Sequence, residues 1–337
     1  LLYRLRHGDD GLVEEVDGEW HIQEQLTPER VRALVPDALE AVVRGRIEAL
    51  DDDTRAILEQ AALVGVEFDV DVLDGAVEDA ARVERAMAVM EEARLIRPVN
   101  EEVDRYRFWS ALVPPVVRRM LSERPEVEVR PVHRAVVNGM LRAYRGDRRR
   151  RRALGIAEHL REAGEFALSV PFTLAGCERL LHLQLPDRAR LQLAEIRDRI
   201  DGPEVEEEQR ATFHFLYGMA CEATGHLEEG FEALTRFVES TDPARADPRN
   251  LPRAYARLSR IHQARGEYDR ARYCFGVATQ LLEDLGDLHS VAFLQDSMAE
   301  LAFEQGLLNA ARGHLQAAET LARRAGNEGA LVRTAVL

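Results

Sequence analysis

The sequence predicts an all-α fold with a minor β wing, in which a small mixed unit precedes a superhelix of helical hairpins. Three observations predict it. Gly225, Gly266 and Gly306 recur 41 and then 40 residues apart, each between two helical runs, which places each at the turn of an antiparallel helix pair. A repeat at this period marks an array whose units bury their faces only against their neighbours. The composition agrees. Hydrophobic residues make up 46% but aromatics only 6%, and Ala, Leu, Arg and Glu dominate, as in largely helical proteins. Strand signals are confined to two short stretches, around Asp17-Gly18 and from Leu95 to Trp109.

From the N-terminus, Gly11 to Ile22 predicts a small β-hairpin, because Asp17-Gly18 suits a tight turn with positive φ. Pro36-Asp37 then opens a helix with apolar residues at Leu39, Val42, Val43, Ile47 and Leu50. Asp53 or Thr54 is expected to cap the next helix, whose apolar face is Ile57, Leu58, Ala61, Ala62 and Val64; Gly65 ends it. Phe68, Val70 and Leu73 begin a short helical region, and Ala81 to Ala93 forms a third helix. Leu95 to Val99 and Tyr106 to Trp109 read as two strands around Asn100-Glu101-Glu102. Three helices followed by a hairpin is the outline of a winged helix, which a helix through Val132, Val136, Val137 and Leu141 would close. Arg145 to Arg152 is a basic, glycine-containing junction and reads as a linker. Beyond it the chain is nearly all helical hairpins, and Ala163-Gly164-Glu165-Phe166 is a degenerate copy of the glycine turn. Two turn-rich loops, Asp201-Gly202-Pro203 and Thr241 through Pro252, fall between hairpins.

Within the last repeats the pattern resembles the tetratricopeptide repeat. With Gly266 as the turn, Tyr255 and Leu258 precede it, and Tyr268, Ala271, Phe275 and Ala278 follow at the expected offsets. Small residues at Ala271 and Ala278 let helices approach, and Phe275 fills the space between hairpins. The Gly306 copy keeps Leu308, Ala311, Leu315 and Ala318, whereas the Gly225 copy has Gly230 and Phe237 at the close-contact positions. The spacing exceeds the tetratricopeptide length of about 34 residues, which predicts longer helices. The inner helices then place Phe215, Met219, Glu222, Arg253, Arg260, Gln263, Phe293, Asp296, Glu300 and Phe303 on the groove face. Mixed aromatic and charged side chains on such a face can grip an extended or helical peptide, and the competing reading is inter-helix packing beside a solvated surface.

Other features narrow the function. A net charge of −15 argues against a nucleic-acid binder, which usually carries a basic face. All 45 basic residues counted as Lys or Arg are arginines. Cys177, Cys221 and Cys274 are widely spaced, which fits reduced thiols in a cytoplasmic protein and gives no metal site. No stretch reaches the roughly 18 consecutive apolar residues of a membrane span, and the polar start is no signal peptide. The chain lacks an initiator methionine and is expected to be a piece of a longer protein.

Candidate chemistry is sparse. His133 and His159 sit on amphipathic helices without a partner carboxylate at useful spacing, so a structural role is expected, because a general base needs an orienting partner. Asp51-Asp52-Asp53 reads as a loop supplying a helix cap, since a calcium loop needs further ligands at regular offsets. Arg148 to Arg152, with Arg142 and Arg145 nearby, is a strong positive cluster: either a nucleic-acid or phosphate contact, or a hinge pairing with acidic surface. In the would-be recognition helix, Glu84, Glu91 and Glu92 stand against Arg82, Arg85 and Arg94, and phosphate repulsion disfavours DNA binding there.

The segment from Val35 to Leu50 resembles the "lP-x-x-l-x-x-v-x-x-R-l-x-x-L" stretch of STAND-class signalling ATPases, and Arg55, Leu58 and Ala61 to Phe68 resemble the stretch that follows it. Tyr106-Arg107-Phe108 with Ala111-Leu112, Arg130-Pro131-Val132-His133, and Ala157-Glu158-His159 with Ala163-Gly164 continue the resemblance in order over roughly residues 30 to 175. The resemblance implies three parts: 1–50 as the end of an ATPase lid and helical linker, 51–144 as a winged-helix domain, and 153–337 as a tetratricopeptide-like repeat domain. Ser110 stands where the family usually has histidine, and no G-x-x-x-x-G-K-[ST] is present, so no nucleotide or Mg²⁺ cofactor is expected within this chain. ATP and Mg²⁺ would belong to a missing ATPase domain of the same polypeptide. The implied function is a non-catalytic regulatory or sensor region that binds a peptide, a protein or a small ligand on the concave repeat surface. The alternatives are the regulatory arm of a multidomain serine/threonine kinase or nucleotide cyclase, and a stand-alone scaffold adaptor.

Overall fold

The computed structural model describes residues 13–16, 19–22, 37–99, 104–241 and 247–324. The chain divides into two compact units, one running to Arg149 and including Glu158–Phe166, the other comprising Arg150–Ala157 and continuing from Ala167. Among the described residues the structure is nearly all helical, with two small antiparallel sheets.

In the first unit, β1 (Val13–Val16) pairs with β2 (Glu19–Ile22), Val16 opposite Glu19, as a two-residue turn requires. The turn residues Asp17 and Gly18 lie outside the described residues, as do Pro36 and Asn100 to Val103. Helix α1 (Asp37–Glu48) buries Val43 and Ile47, with Leu50 beyond its end. Val42, expected on the same face, is 54% exposed. Helix α2 (Asp52–Val64) buries the whole predicted face of Ile57, Leu58, Ala61, Ala62 and Val64 and stops at Gly65. Its cap is neither Asp53 nor Thr54 but Asp51, whose carboxylate accepts from the Thr54 amide at 2.8 Å and the Thr54 hydroxyl at 2.7 Å. The carboxylate must sit three residues before the amide it caps, and Asp51 holds that place.

Phe68 is not helical, contrary to expectation. It lies in β3 (Glu67–Asp69), and α3 (Val70–Val77) begins only after it. Helix α4 (Ala80–Glu92) follows, then β4 (Ile96–Pro98) and β5 (Arg105–Phe108). The sheet order is β3-β5-β4, with Phe68 opposite Tyr106 and Ile96 opposite Phe108. Phe68, fully buried, meets the Phe108 ring at 5.5 Å; sheet pairing and burial together outweigh its helix-like spacing. Helix α5 (Val113–Ser122) has no counterpart among the elements expected from the sequence. Pro114 and Pro115 fall in its first turn, where no amide donor is needed. Helix α6 (Glu126–Ala143) buries Val136 and Val137 as predicted.

The basic run expected as a linker contains the boundary between the two units, at Arg149 and Arg150, but is itself helical: α7 spans Gly146–Arg151. Arg148 pairs with Asp69 at 2.7 Å and lies over the Tyr144 ring at 4.8 Å. Arg149 donates to the Leu141 and Tyr144 carbonyls at 2.7 and 3.0 Å, which satisfies the open end of α6. The buried Tyr144 hydroxyl donates to the same Asp69 carboxylate at 3.1 Å. Short-range pairing with Asp69 and the α6 carbonyls turns a charge run into a docked helix.

Nine further α-helices and a 3₁₀ turn at Arg197–Arg199 complete the description. The helices are α8 (Ala153–Glu162), α9 (Phe166–His182), α10 (Pro186–Ala194), α11 (Glu207–Ala223), α12 (Leu227–Ser240), α13 (Asn250–Ala264), α14 (Tyr268–Asp284), α15 (Leu288–Glu304) and α16 (Leu308–Arg324). Gly225, Gly266 and Gly306 occupy the predicted turns with φ of 79°, 73° and 74°, and Gly164 does the same at 79°. Each ends its helix with the same pair of reverse bonds. At Gly266 the Gly266 amide reaches the Gln263 carbonyl at 2.9 Å, and the Glu267 amide reaches His262 at 2.8 Å. The turn between α9 and α10 closes identically on Gln184 at φ 59°, which the glycine pattern could not announce. Nothing lies within 4 Å of a side chain built on Gly266, so Gly266→Ala tests the backbone alone. A loss of about 1–2 kcal/mol in urea unfolding is expected from the left-handed backbone; an unchanged midpoint would contradict it.

The close-contact positions behave as predicted in the Gly266 copy, where Ala271, Phe275 and Ala278 are buried with Leu258. In the Gly306 copy Ala311 and Ala318 are buried, but Leu308 is 61% exposed. The second turn-rich loop is shorter than expected. Helix α13 already starts at Asn250, and Pro252 is accommodated in its first turn.

Candidate functional site

Two adjoining cavities, of about 220 and 200 Å³, lie along the helices that open successive hairpins in the second unit. Helix α13 separates them, and its Arg253 and Arg257 line both. The smaller one is walled by Leu181 and His182 of α9 and by Phe215, Leu216 and Met219 of α11. The larger is walled by Arg260 of α13 and by His289, Phe293 and Ser297 of α15, with Phe275 and Leu282 of α14 beneath.

Helical geometry makes this arrangement. Arg253, Arg257 and Arg260 are spaced i, i+4, i+7 and therefore form one row along α13. Behind the row, Glu222 of α11 has only 5% of its side chain exposed and pairs with Arg257 at 2.6 Å and Arg260 at 3.2 Å. A carboxylate so buried has to be paired, and two guanidinium groups supply this. Arg253 lies 5.4 Å above the Phe215 ring, which in turn tilts against Phe237 at 5.1 Å. Arg253 is exposed by area, yet desolvation first, and then the neighbouring Arg257, lower its pKa. An arginine keeps its proton at neutral pH regardless, so the shift reports crowding of positive charge and no change of state.

Of the ten residues expected on the groove face, Phe215, Met219, Arg253, Arg260 and Phe293 line the cavities and Glu222 braces the arginine row. Gln263 instead donates to Glu304 at 2.7 Å. Asp296, Glu300 and Phe303 line neither cavity; Phe303 is 64% exposed. Arg257, which the sequence reading missed, is the residue common to both cavities and the Glu222 pair. Its i+4 spacing from Arg253 was the available signal.

The remaining candidates have other employment. Asp51 caps α2, Asp52 pairs with Arg55 at 3.5 Å, and Asp53 pairs with Arg82. His133 and His159 are not isolated: both are buried in the first unit, and their Nδ1 atoms approach to 3.1 Å. Burial, then His133 and Arg118, push the His159 pKa down to about 4. A small cavity of about 50 Å³ holds His214 at 3.5 Å from Asp201, with Tyr217 bonded to Glu229. Burial lowers the His214 pKa and raises that of Tyr217, and no serine, threonine or cysteine lines this cavity. The three cysteines are buried, and burial pushes the Cys221 thiol up to about 11, away from nucleophilic use. Among the described residues, no group of three or more His, Cys, Asp or Glu could hold a metal, and no helix is long and apolar enough to cross a membrane.

No protein-family profile matches the chain, and no curated protein sequence does. Solved structures similar to it include aspartyl phosphate phosphatase F from Bacillus subtilis, at 10% identity and TM-score 0.43, covering 88% of this chain and 72% of that one. A Rap protein complexed with competence and sporulation factor is 12% identical at TM-score 0.42, covering 91% and 76%. A signal transduction ATPase with numerous domains and a tetratricopeptide repeat sensor, from Pyrococcus horikoshii, is 12% identical at TM-score 0.39. That match covers 93% of this chain and 53% of the ATPase, so the chain spans about half of that protein's length. At these scores the functional argument rests on the residues.

Proposed function

We propose that the chain is a non-catalytic regulatory region of a larger signalling ATPase, and that the groove across α11, α13 and α15 receives a protein or peptide partner. The single observation that carries this reading is the pair of adjoining cavities on helices that open successive hairpins, walled by aromatic and charged side chains. Each cavity is smaller than the roughly 300 Å³ at which drug-sized ligand sites begin, so each suits a side chain of an extended partner.

The order α2-β3-α3-α4-β4-β5 with sheet order β3-β5-β4 supports a winged helix over residues 51–144. Residues 153–337 serve as the repeat domain and 1–50 as the lid end. In this reading ATP and Mg²⁺ bind the ATPase domain of the same polypeptide, and partner binding biases its closed and open forms. The test is to select peptides from a random display library against the full chain and map hydrogen exchange with the tightest binder present. Protection concentrated in α11, α13 and α15 is expected; protection confined to α12, α14 and α16 would move the site elsewhere and overturn the reading.

A further inference from the structure

The three guanidinium groups of the groove share one directly ion-paired carboxylate among the described residues. Arg253, Arg257 and Arg260 stand in one row; Glu222 braces it, Glu178 lines one cavity, and Glu178 and Asp247 attract Arg253 without a direct bond to it. Glu222 is already shared between Arg257 and Arg260, while Arg253 is held over an aromatic ring and, among the described residues, is in no ion pair. In a protein of net charge −15, three clustered guanidinium groups between two cavities walled by aromatic, aliphatic and charged side chains concentrate positive charge on one helix face. Like charges on one helix face repel, so the row is stabilised by whatever anion completes it.

We infer that the partner is an acidic peptide segment: carboxylate side chains lie along the arginine row of α13, and one apolar side chain enters each flanking cavity. Guanidinium forks match carboxylates two bonds at a time, so the row reads charge and spacing together. The cavities on either side, with Phe215 and Met219 in one and Phe293 in the other, accept the apolar residues. A free small anion would fill neither cavity. A nucleic acid would place a continuous phosphate backbone against a predominantly acidic protein. An acidic peptide satisfies both the charge row and its apolar flanks. This inference rests on the groove being the binding face, as proposed above.

The probe is a fluorescein-labelled heptapeptide with a leucine at each end and three glutamates between, compared with its glutamine counterpart on the full chain by fluorescence anisotropy. The glutamate peptide should bind at least tenfold more tightly, and the preference should fade as salt is raised. Arg253→Gln should weaken it at least fivefold without disturbing the Glu222 pairs. Glu222→Gln, which removes the competing carboxylate, should tighten it several-fold, an effect that a merely structural role for Glu222 could not produce. Circular dichroism of each variant shows that the helices persist. Equal binding of both peptides, or indifference to both substitutions, would overturn the acidic preference while leaving a peptide groove. Failure of both peptides to bind would count against both readings.

Discussion

Gly139→Ala is expected to destabilise the first unit by about 3 kcal/mol or more, read as a lowered urea midpoint with retained slope. Helix α6 crosses α3 at Gly139 and Gly75, and a methyl group on Gly139 would fall on the Val72 carbonyl, with the Ala76 side chain 3.1 Å away. The obstacle is backbone, so no rotamer change relieves it; the two helices have to separate, and with them the buried Val72, Leu73, Val136 and Val137. Gly45 of α1 is the control, since nothing lies within 4 Å of a side chain there. Gly45→Ala should stabilise by about 0.5–1 kcal/mol through helix propensity. Equal and small effects at both sites would mean that α3 and α6 are not in close contact.

Acidification is expected to cost the first unit about 3 kcal/mol through one buried histidine. His133 and His159 are 8% and 6% exposed, and their Nδ1 atoms lie 3.1 Å apart. His159 also bonds the Leu63 carbonyl, which requires a ring N–H. Burial lowers the His159 pKa from 6.5 to about 4, with His133 and Arg118 adding to the effect. His133 is likewise lowered by burial, partly offset by Glu158. The sign follows from the direction. Between pH 6.5 and about 4 the unfolded histidine binds a proton that the folded one refuses, so stability declines as pH falls through that window and then levels. Urea midpoints across the window should decline more steeply in the wild type than in His133→Leu/His159→Leu, once each is referred to its own value at neutral pH. Parallel declines would show that the pair does not titrate as described.

Much of the fold was legible because it depends on local rules. The glycines at 225, 266 and 306 announced their turns, since a left-handed helix end favours glycine wherever it occurs. The faces of α2 and α6 were legible from apolar spacing. The local rules also marked their own limits: Gln184 makes the same turn without glycine, and Pro114-Pro115 opens a helix that resembles a break.

Placement across elements was not legible. Phe68 joins a strand because β5 lies beside it, and Arg148 folds back because Asp69 and Tyr144 await it. His133 and His159, 26 residues apart in sequence, meet only in the folded chain. In the groove, helical spacing placed the arginines on one face of α13. That Glu222 pins Arg257 and Arg260, that Arg253 rests on Phe215, and that Phe303 stands apart depend on which hairpin lies beside which. Propensity and periodicity act over a few residues along the chain and can be read there. Close packing, ion pairing and desolvation act between segments distant in sequence, and only the folded arrangement brings those segments together.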